Sequence, residues 1–339
     1  MYATRNHYVP SVTVHALIPD VLIISGSGPH ALSRRETEIY VDVSCGKSVM
    51  RGADLYASGI MGSNRDFRVD EVVSVLMDID ARCRRGVKRP YEGRCVFLGN
   101  GVTHQSRRDI FKISPPEKPK GLGVFMVEKV WNNPKLYGLI EDWGFPQNLP
   151  SVVCGHVLDP QPGETVLDMC AAPGGKSTHL AILMKDQGRV VCIDDRKIRL
   201  REVLQNASAL SLRSIEAYKM DAVNLVNEPE KRRKAVPTNS PPFLPETFDR
   251  ILLDVPCSGL GQRPLLFEQN PNQIRSLPVI QRKLLKSAYR LLKKEGTLVY
   301  STCTLREEEN EHMVSWALEN FADLKLSRQV SKSRPLFRE

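Results

Sequence analysis

From about residue 160 onward, short apolar runs alternate with stretches whose apolar positions recur every three or four residues. Runs of strand length lie at 165–169, 189–193, 215–219, 249–253 and 297–301, and helical spacing is found at 177–186, 196–210, 279–294 and 308–320. In the third helical stretch Leu284, Leu285, Ala288, Leu291 and Leu292 make one apolar stripe, Lys and Arg take the other face, and Gly296 follows as a stop. Repeated strand–helix units predict an α/β fold with a parallel, doubly wound sheet.

The first third of the chain follows another pattern. Residues 1–37 are irregular, with turn signals at Ser25-Gly-Ser-Gly-Pro29. From 38 to 113 short β-rich runs, among them Ile39–Val43, Glu71–Met77 and Arg94–Leu98, are separated by glycine-containing breaks. Such spacing predicts a small barrel or sandwich. Ser114-Pro-Pro-Glu-Lys-Pro-Lys-Gly121 has the composition of a linker and puts a domain boundary near 114. The polar, Pro-rich residues 228–247 predict a loop insertion, within which Lys231-Arg-Arg-Lys234 reads as a solvated loop rather than a nuclear address.

A length of 339 residues suits two domains, and 41% hydrophobic with 26% charged residues is a globular composition. No apolar run approaches the roughly 18 residues of a membrane span, and the N-terminus lacks a secretory-signal layout. Eight scattered cysteines with no C-x-x-C indicate neither a zinc site nor a disulfide framework, which favours a reduced, cytoplasmic setting. The net charge of +9 is concentrated: eleven Lys/Arg stand against three acids between Arg82 and Lys120. That excess is the footprint expected of a phosphate-binding surface.

The informative chemistry lies at strand ends, where an open parallel sheet gathers its ligands. Asp168 ends the first strand, and Pro173-Gly174-Gly175 turns the chain into a helix. Glycines admit a ligand to the backbone, and free N–H groups at a helix start favour an electronegative group. Asp194 ends the second strand 20 residues after Gly174, where an acid meets ribose hydroxyls, and Asp221 ends the third, placed to accept from an adenine amine. Gly175-Lys176-Ser177 superficially suggests a phosphate loop, but the glycine that loop needs five positions earlier is Cys170. ATP is therefore disfavoured. S-adenosylmethionine, with no phosphates to cradle, agrees with the acidic strand ends.

Two cysteines follow the fourth and fifth strands, Cys257 in Asp254-Val-Pro-Cys257 and Cys303 in Ser301-Thr-Cys-Thr304. Carbon 5 of cytosine is a poor nucleophile, but a thiolate adding to carbon 6 makes the ring an enamine that takes a methyl group at carbon 5. Asp254 is placed to bond the ring at N3. A base must then remove the carbon-5 proton, and a second thiol can assist release. Lys176 is a candidate cation for lowering a thiol pKa or for contacting the base. Spacing leaves open which cysteine is the nucleophile. Cys45, Cys83, Cys95, Cys154 and Cys192 read as buried apolar residues.

Leu167–Thr178, Asp249–Gly259, Gly296–Thr304, Gln147–Ser151 and Glu309-Asn-Glu311 together resemble the Sun-type RNA cytosine-5 methyltransferases over about 145–312. The resemblance implies a class I S-adenosylmethionine-dependent, Rossmann-like sheet, with Cys303 as nucleophile and Cys257 as the release cysteine. It implies that Asp254 and Lys176 contact the base, and that the cofactor meets Cys170, Ala171, Ala172, Pro173, Gly174, Gly175, Lys176, Asp194, Asp221 and Asp254. Cys45–Ile60 looks like the core of a PUA domain, a small RNA-binding β-barrel. That pairing is similar to the subgroup that modifies a cytosine near the 3′ end of certain tRNAs, where the PUA domain grips the CCA end. Arg51, Tyr56, Arg84, Arg85 and Lys88 occupy comparable places and are the candidate RNA contacts.

The implied organisation is an N-terminal remnant at 1–37, a PUA-like domain at 38–113 and a methyltransferase domain at 114–339. The family pattern continues beyond both ends of this chain, so the catalytic domain is expected to be C-terminally incomplete. Only Ala322–Ser327 offers a strand after the fifth, whose edge is then open. The expected activity is tRNA cytosine-5 methylation by a monomer. A catalytically impaired RNA-binding fragment is the competing reading, and DNA methylation is disfavoured by the Ser-Thr-Cys-Thr element and the PUA-like segment.

Overall fold

A computed structural model of the protein describes residues 11–18, 20–112, 117, 119–136, 144–227, 239–262 and 270–327. The chain divides at 136/137 into two units. In the first, β1 (Val12–Val14) and β2 (Leu22–Ile24) form an antiparallel pair. One mixed seven-stranded sheet contains β3 (Glu38–Val41), β4 (Leu55–Tyr56), β5 (Ile60–Ser63), β6 (Val72–Asp78), β7 (Val87–Lys88), β8 (Cys95–Thr103) and β9 (Leu122–Lys129). Its order is β4-β9-β8-β6-β3-β5-β7. Helices α1 (Val43–Met50) and α2 (Arg107–Lys112) belong to the same unit. Central β6 is buried from Val73 through Asp78, which is why its sequence is a nearly continuous apolar run rather than an alternating one.

The expected boundaries of this unit are corrected by its pairing. Residues 1–37 are not an irregular remnant throughout, since β1 and β2 lie within them. Ser27 exchanges backbone hydrogen bonds with Asn132, and buried Thr37 donates to Glu71 Oε1 at 2.6 Å. Nor does the unit end at 113: β9 pairs with both β8 and β4. Of the expected linker at 114–121, residues 114–116 and 118 lie outside the described residues, and a connection between α2 and β9 of one unit has the same composition as a linker between domains.

The second unit contains α3 (Leu149–Leu158), β10 (Thr165–Asp168), α4 (Gly175–Leu183), β11 (Arg189–Asp194), α5 (Lys197–Ala209), β12 (Ile215–Lys219), β13 (Phe248–Asp254), α6 (Pro271–Leu291), β14 (Leu292–Ser301) and α7 (Glu311–Asn320). The five strands are parallel, in the order β12-β11-β10-β13-β14. Alternate residues feed opposite cores. Leu167, Val191, Ile193, Ile251 and Leu253 pack with Leu284, Leu285, Ala288 and Leu291 of α6 and with Met313 and Ala317 of α7. Val166, Val190, Cys192 and Leu252 pack with Leu158 of α3, Leu180 and Ala181 of α4, and Leu200, Val203 and Ala207 of α5. Helices on both faces force the carboxyl ends of the strands to one rim, and the chain order reverses between β10 and β13.

The five strands predicted for the parallel sheet all form, within a few residues. Helix α6 starts at Pro271 rather than 279, because Asn270 caps it and Pro271 occupies its first turn. Pro278 is absorbed inside. Helix α3 was not predicted, although Asn148 with Pro150 is a start signal. Of the loop expected at 228–247, residues 228–238 lie outside the described residues, and Phe243 returns to the core against Phe248. Ala322–Ser327 forms no strand, and among the described residues β14 pairs only with β13.

Candidate active site

The rim holds the predicted residues in two adjoining groups. The first is the turn between β10 and α4. Gly174 has φ +104°, a conformation that costs a side-chain-bearing residue strain, and a Cβ there would stand 2.9 Å from Val203 Cα. The turn is braced from α5, where Arg199 donates to Ala172 O at 3.0 Å and Asn206 to Pro173 O at 2.9 Å. Asp168 is turned inward. It is fully buried, accepts from Ser177 Oγ at 2.7 Å, and burial pushes its carboxyl up to about 6. It therefore supports the turn instead of offering a ligand acid, which leaves Asp194, at the end of β11, and Asp221, two residues past β12, as the acids on this side of the sheet.

Buried Asp194 accepts from Arg196 N at 3.0 Å and lies 3.4 Å from Arg199 Nη1. Asp221, exposed, accepts from Val223 N and Asn224 Nδ2 at 3.0 Å each. Each carboxylate oxygen keeps lone pairs for a further donor. Two acids at the rim, with Lys176 and Arg199 already committed to carboxylates, suit a nucleoside without phosphates. The residue set thus fits S-adenosylmethionine, which the Cys170–Lys176 turn, Asp194 and Asp221 would hold.

The second group joins the ends of β13 and β14. Lys176 Nζ lies 2.8 Å from Asp254 Oδ2, and Ser301 Oγ donates to Asp254 Oδ1 at 2.7 Å. Burial opposes the charge on Lys176, but the Asp254 carboxylate outweighs it and raises the lysine pKa. Three residues past β13, Cys257 Sγ stands 3.2 Å from Cys303 Sγ, and both thiols are free. Cys303 is exposed, whereas Cys257 is half-buried.

Seven of the eight cysteines have thiols raised above the usual value, burial being the leading cause in all but Cys257. For Cys257 the hydrogen bond to Cys303 leads. Cys303 is the exception. The hydrogen bond from Cys257, helped by the Gln262 amide and the Lys176 charge, pushes it down to about 6 against its partial burial. The exposed sulfur, better solvated as an anion, carries the negative charge of the pair. Of the cysteines expected to be buried, Cys83 and Cys192 are, while Cys45, Cys95 and Cys154 are half-buried.

Residues that the sequence reading assigned no role hold the two thiols together. Glu309, fully buried, accepts from Ser258 N at 2.9 Å and from Gln281 Nε2 at 3.0 Å. Asn310 accepts from Thr302 Oγ1 at 2.6 Å and donates to Thr304 O at 3.1 Å, gripping both neighbours of Cys303. Helix α7 begins at Glu311 rather than 308, and this break turns Glu309 and Asn310 toward the cysteine loops. The Glu309-Asn310-Glu311 segment was the only sequence signal for them.

The thiolate is the form that reacts with alkylating agents. Alkylation of Cys303 by iodoacetamide, followed by peptide mass mapping, should therefore rise with pH through a midpoint near 6 and level off above 7. An unassisted cysteine has its midpoint near 8.5, and that value for Cys303 would refute the shared-proton arrangement.

The candidate RNA contacts lie on the first unit, and Arg51, Tyr56, Arg84, Arg85 and Lys88 are all exposed. Two are partly engaged. Arg85 donates to Ile60 O at 2.9 Å and stacks 5.4 Å from the Phe111 ring, and Lys88 pairs with Asp66.

Residues 155–335 match the family described as 16S rRNA methyltransferase RsmB/F. The chain is 45% identical over 324 residues to the Mus musculus tRNA (cytosine(72)-C(5))-methyltransferase NSUN6, covering 94% of this chain and 66% of that protein. It is 31% identical over 308 residues to the Pyrococcus horikoshii tRNA (cytosine(72)-C(5))-methyltransferase, covering 89% of this chain and 70% of that protein. The crystal structure of NSun6 from Pyrococcus horikoshii, solved with SFG, superposes with a TM-score of 0.78 at 28% identity, over 94% of this chain and 75% of that one. The chain thus spans just under two thirds of its mammalian relatives, and no helix among the described residues is long and apolar enough to cross a membrane. A match over more than half of its length, on the same parallel sheet that carries the paired thiols, makes this chain a member of the RsmB/F, or Sun-domain, methyltransferase family.

Proposed function

We propose that the protein is a tRNA cytosine-5 methyltransferase acting near the 3′ end, at the position 72 for which its relatives are named. The observation that carries this reading is the 3.2 Å separation of Cys257 and Cys303 beside the Lys176–Asp254 pair. Cys303 Sγ adds to carbon 6 of the cytosine, forming the C–S bond while the 5,6 double bond yields its electrons to the ring. As the ring receives those electrons N3 takes up a proton, and the Asp254 carboxylate, held by Ser301 and Lys176, accepts from that N3–H, while Lys176 adds a second polar contact. S-adenosylmethionine, when bound, supplies the methyl group that carbon 5 takes up. Once the Cys303 sulfur is a thioether, its charge no longer opposes ionisation of Cys257, which releases its proton to water. As a thiolate Cys257 then takes the carbon-5 proton, the C5–H electrons re-form the 5,6 double bond, and the C–S electron pair returns to Cys303. The base must leave its stack, because carbon 6 is approached perpendicular to the ring.

The first unit acts as a PUA domain that holds the CCA end and acceptor region. Its seven-stranded sheet, the cationic excess over 82–120 and the exposure of Arg51, Tyr56, Arg84, Arg85 and Lys88 support that role. The substrate is RNA rather than DNA, the setting cytoplasmic, and the working form a monomer. The test is transfer of labelled methyl from S-adenosylmethionine to mixed tRNA, with the modified position mapped. Label in one cytosine near the 3′ end is expected. Retention of tRNA with no label would favour the RNA-binding fragment instead.

A further inference from the structure

We propose that Gln262 is a catalytic residue whose side-chain amide holds the sulfur of Cys303 as a thiolate, both before attack and as the adduct breaks down. This rests on the reading of Cys303 as nucleophile. Gln262 Nε2 lies 3.3 Å from Cys303 Sγ, within hydrogen-bonding range of sulfur. The contact is built into the backbone. Gly261 N donates to Cys303 O at 3.0 Å, and Gln262 N closes a turn onto Gly259 O at 3.0 Å. A Cβ on Gly261 would stand 2.9 Å from Cys303 O, so the two segments meet this closely only with glycine there. Gln262 is thereby anchored one residue from a bond to the nucleophile's own carbonyl.

The chemistry needs such a donor. Cys257 also bonds the sulfur, but through a proton that is drawn into the release step. An amide N–H has no proton to surrender at any working pH, so its hydrogen bond to the anion persists throughout. During addition it keeps the thiolate populated. In the adduct the sulfur is a thioether and a poor acceptor. When the C6–S bond breaks and its electron pair returns to sulfur, the amide stabilises the departing thiolate. The charged and titratable groups around this sulfur are Cys257 after β13, Asp254 at the end of β13 and Lys176 on α4. Asp254 opposes the thiolate, Lys176 and the Gln262 amide favour it, and Gln262 is a neutral donor touching the sulfur.

The test compares the full-length chain with Gln262→Leu and the near-isosteric Gln262→Glu, reading Cys303 alkylation by iodoacetamide against pH. Gln262→Leu should raise the midpoint by about one pH unit, and Gln262→Glu by more, since it replaces a donor with an anion. In methyl transfer to tRNA both should lower kcat with little change in KM. An alkylation midpoint that stays within about 0.2 units of the parent in both variants would overturn the proposal. Thermal melts identify a variant that fails to fold, and the other then decides. The alkylation requires neither RNA nor cofactor, so a shifted midpoint without methyl transfer to any tRNA would reject the proposed function while leaving Gln262 as the thiolate donor.

Discussion

Cys303→Ser should abolish methyl transfer to tRNA, whereas Cys257→Ser should accumulate a protein–RNA adduct stable to denaturing electrophoresis. The difference follows from two sulfurs 3.2 Å apart in unlike settings. The exposed Cys303 sulfur is held as a thiolate with a pKa near 6, and a serine hydroxyl in its place is almost never ionised. A loss on the order of 10⁴-fold or more is expected, as for other removed nucleophiles. Cys257 keeps its proton because loss of it would place a second negative charge beside Cys303, and burial adds to that cost. Without that thiol, addition at carbon 6 still proceeds but breakdown slows, so the adduct persists. A gel showing the adduct with Cys303→Ser, and free enzyme with Cys257→Ser, would reverse the assignment.

Glu309→Ala should lower the melting temperature by roughly 10 °C and also suppress methyl transfer. The truncated carboxylate is fully buried and serves Ser258 N and Gln281 Nε2, while Tyr300 OH bonds the Glu309 carbonyl at 2.7 Å. Removing it strands a buried amide N–H and part of a buried side-chain amide, each costing about 1–3 kcal/mol. It also leaves Arg306 without the carboxylate 3.9 Å away. A total of about 3–5 kcal/mol is in line with removal of one partner from a buried charged network. In a unit of this size each kcal/mol shifts the melt by about 2–4 °C. Glu309→Gln preserves the shape and one acceptor, and should recover much of the loss. Identical calorimetric melts for parent and Glu309→Ala would show that the Ser258 and Cys303 loops are held by something else.

Much of the catalytic unit was legible in sequence because its central strands β10, β11 and β13 are buried on both faces. Runs such as Ile251-Leu-Leu253 are apolar throughout, and each is followed by a turn carrying the chemistry. The first unit was less legible. Strands β4 and β7 have two residues each, too few to show alternation, and their partners Leu122–Val124 and Gly62–Ser63 lie far along the chain. The Pro/Lys-rich stretch at 114–121 looked like a linker for the same reason. Composition reports where pairing stops but not whether the next strand returns to the same sheet, as β9 does.

Residue order was enough to bring Cys257, Cys303, Asp254, Lys176 and the Gly174 turn to one rim, since in a parallel sheet a group's place after its strand determines the rim it reaches. Which carboxylates remain open at that rim was a tertiary matter. Asp168 and Asp194 end consecutive strands and Asp221 lies two residues past the next, yet Asp168 faces inward onto Ser177, because burial of a side chain depends on what packs above it. Likewise the proton shared by the two thiols, the Gln262 contact and the Glu309–Asn310 clasp join residues up to 51 positions apart. A local pattern specifies periodicity and turn chemistry. Hydrogen-bond partners across such distances exist only once the sheet has set the register of β13 against β14.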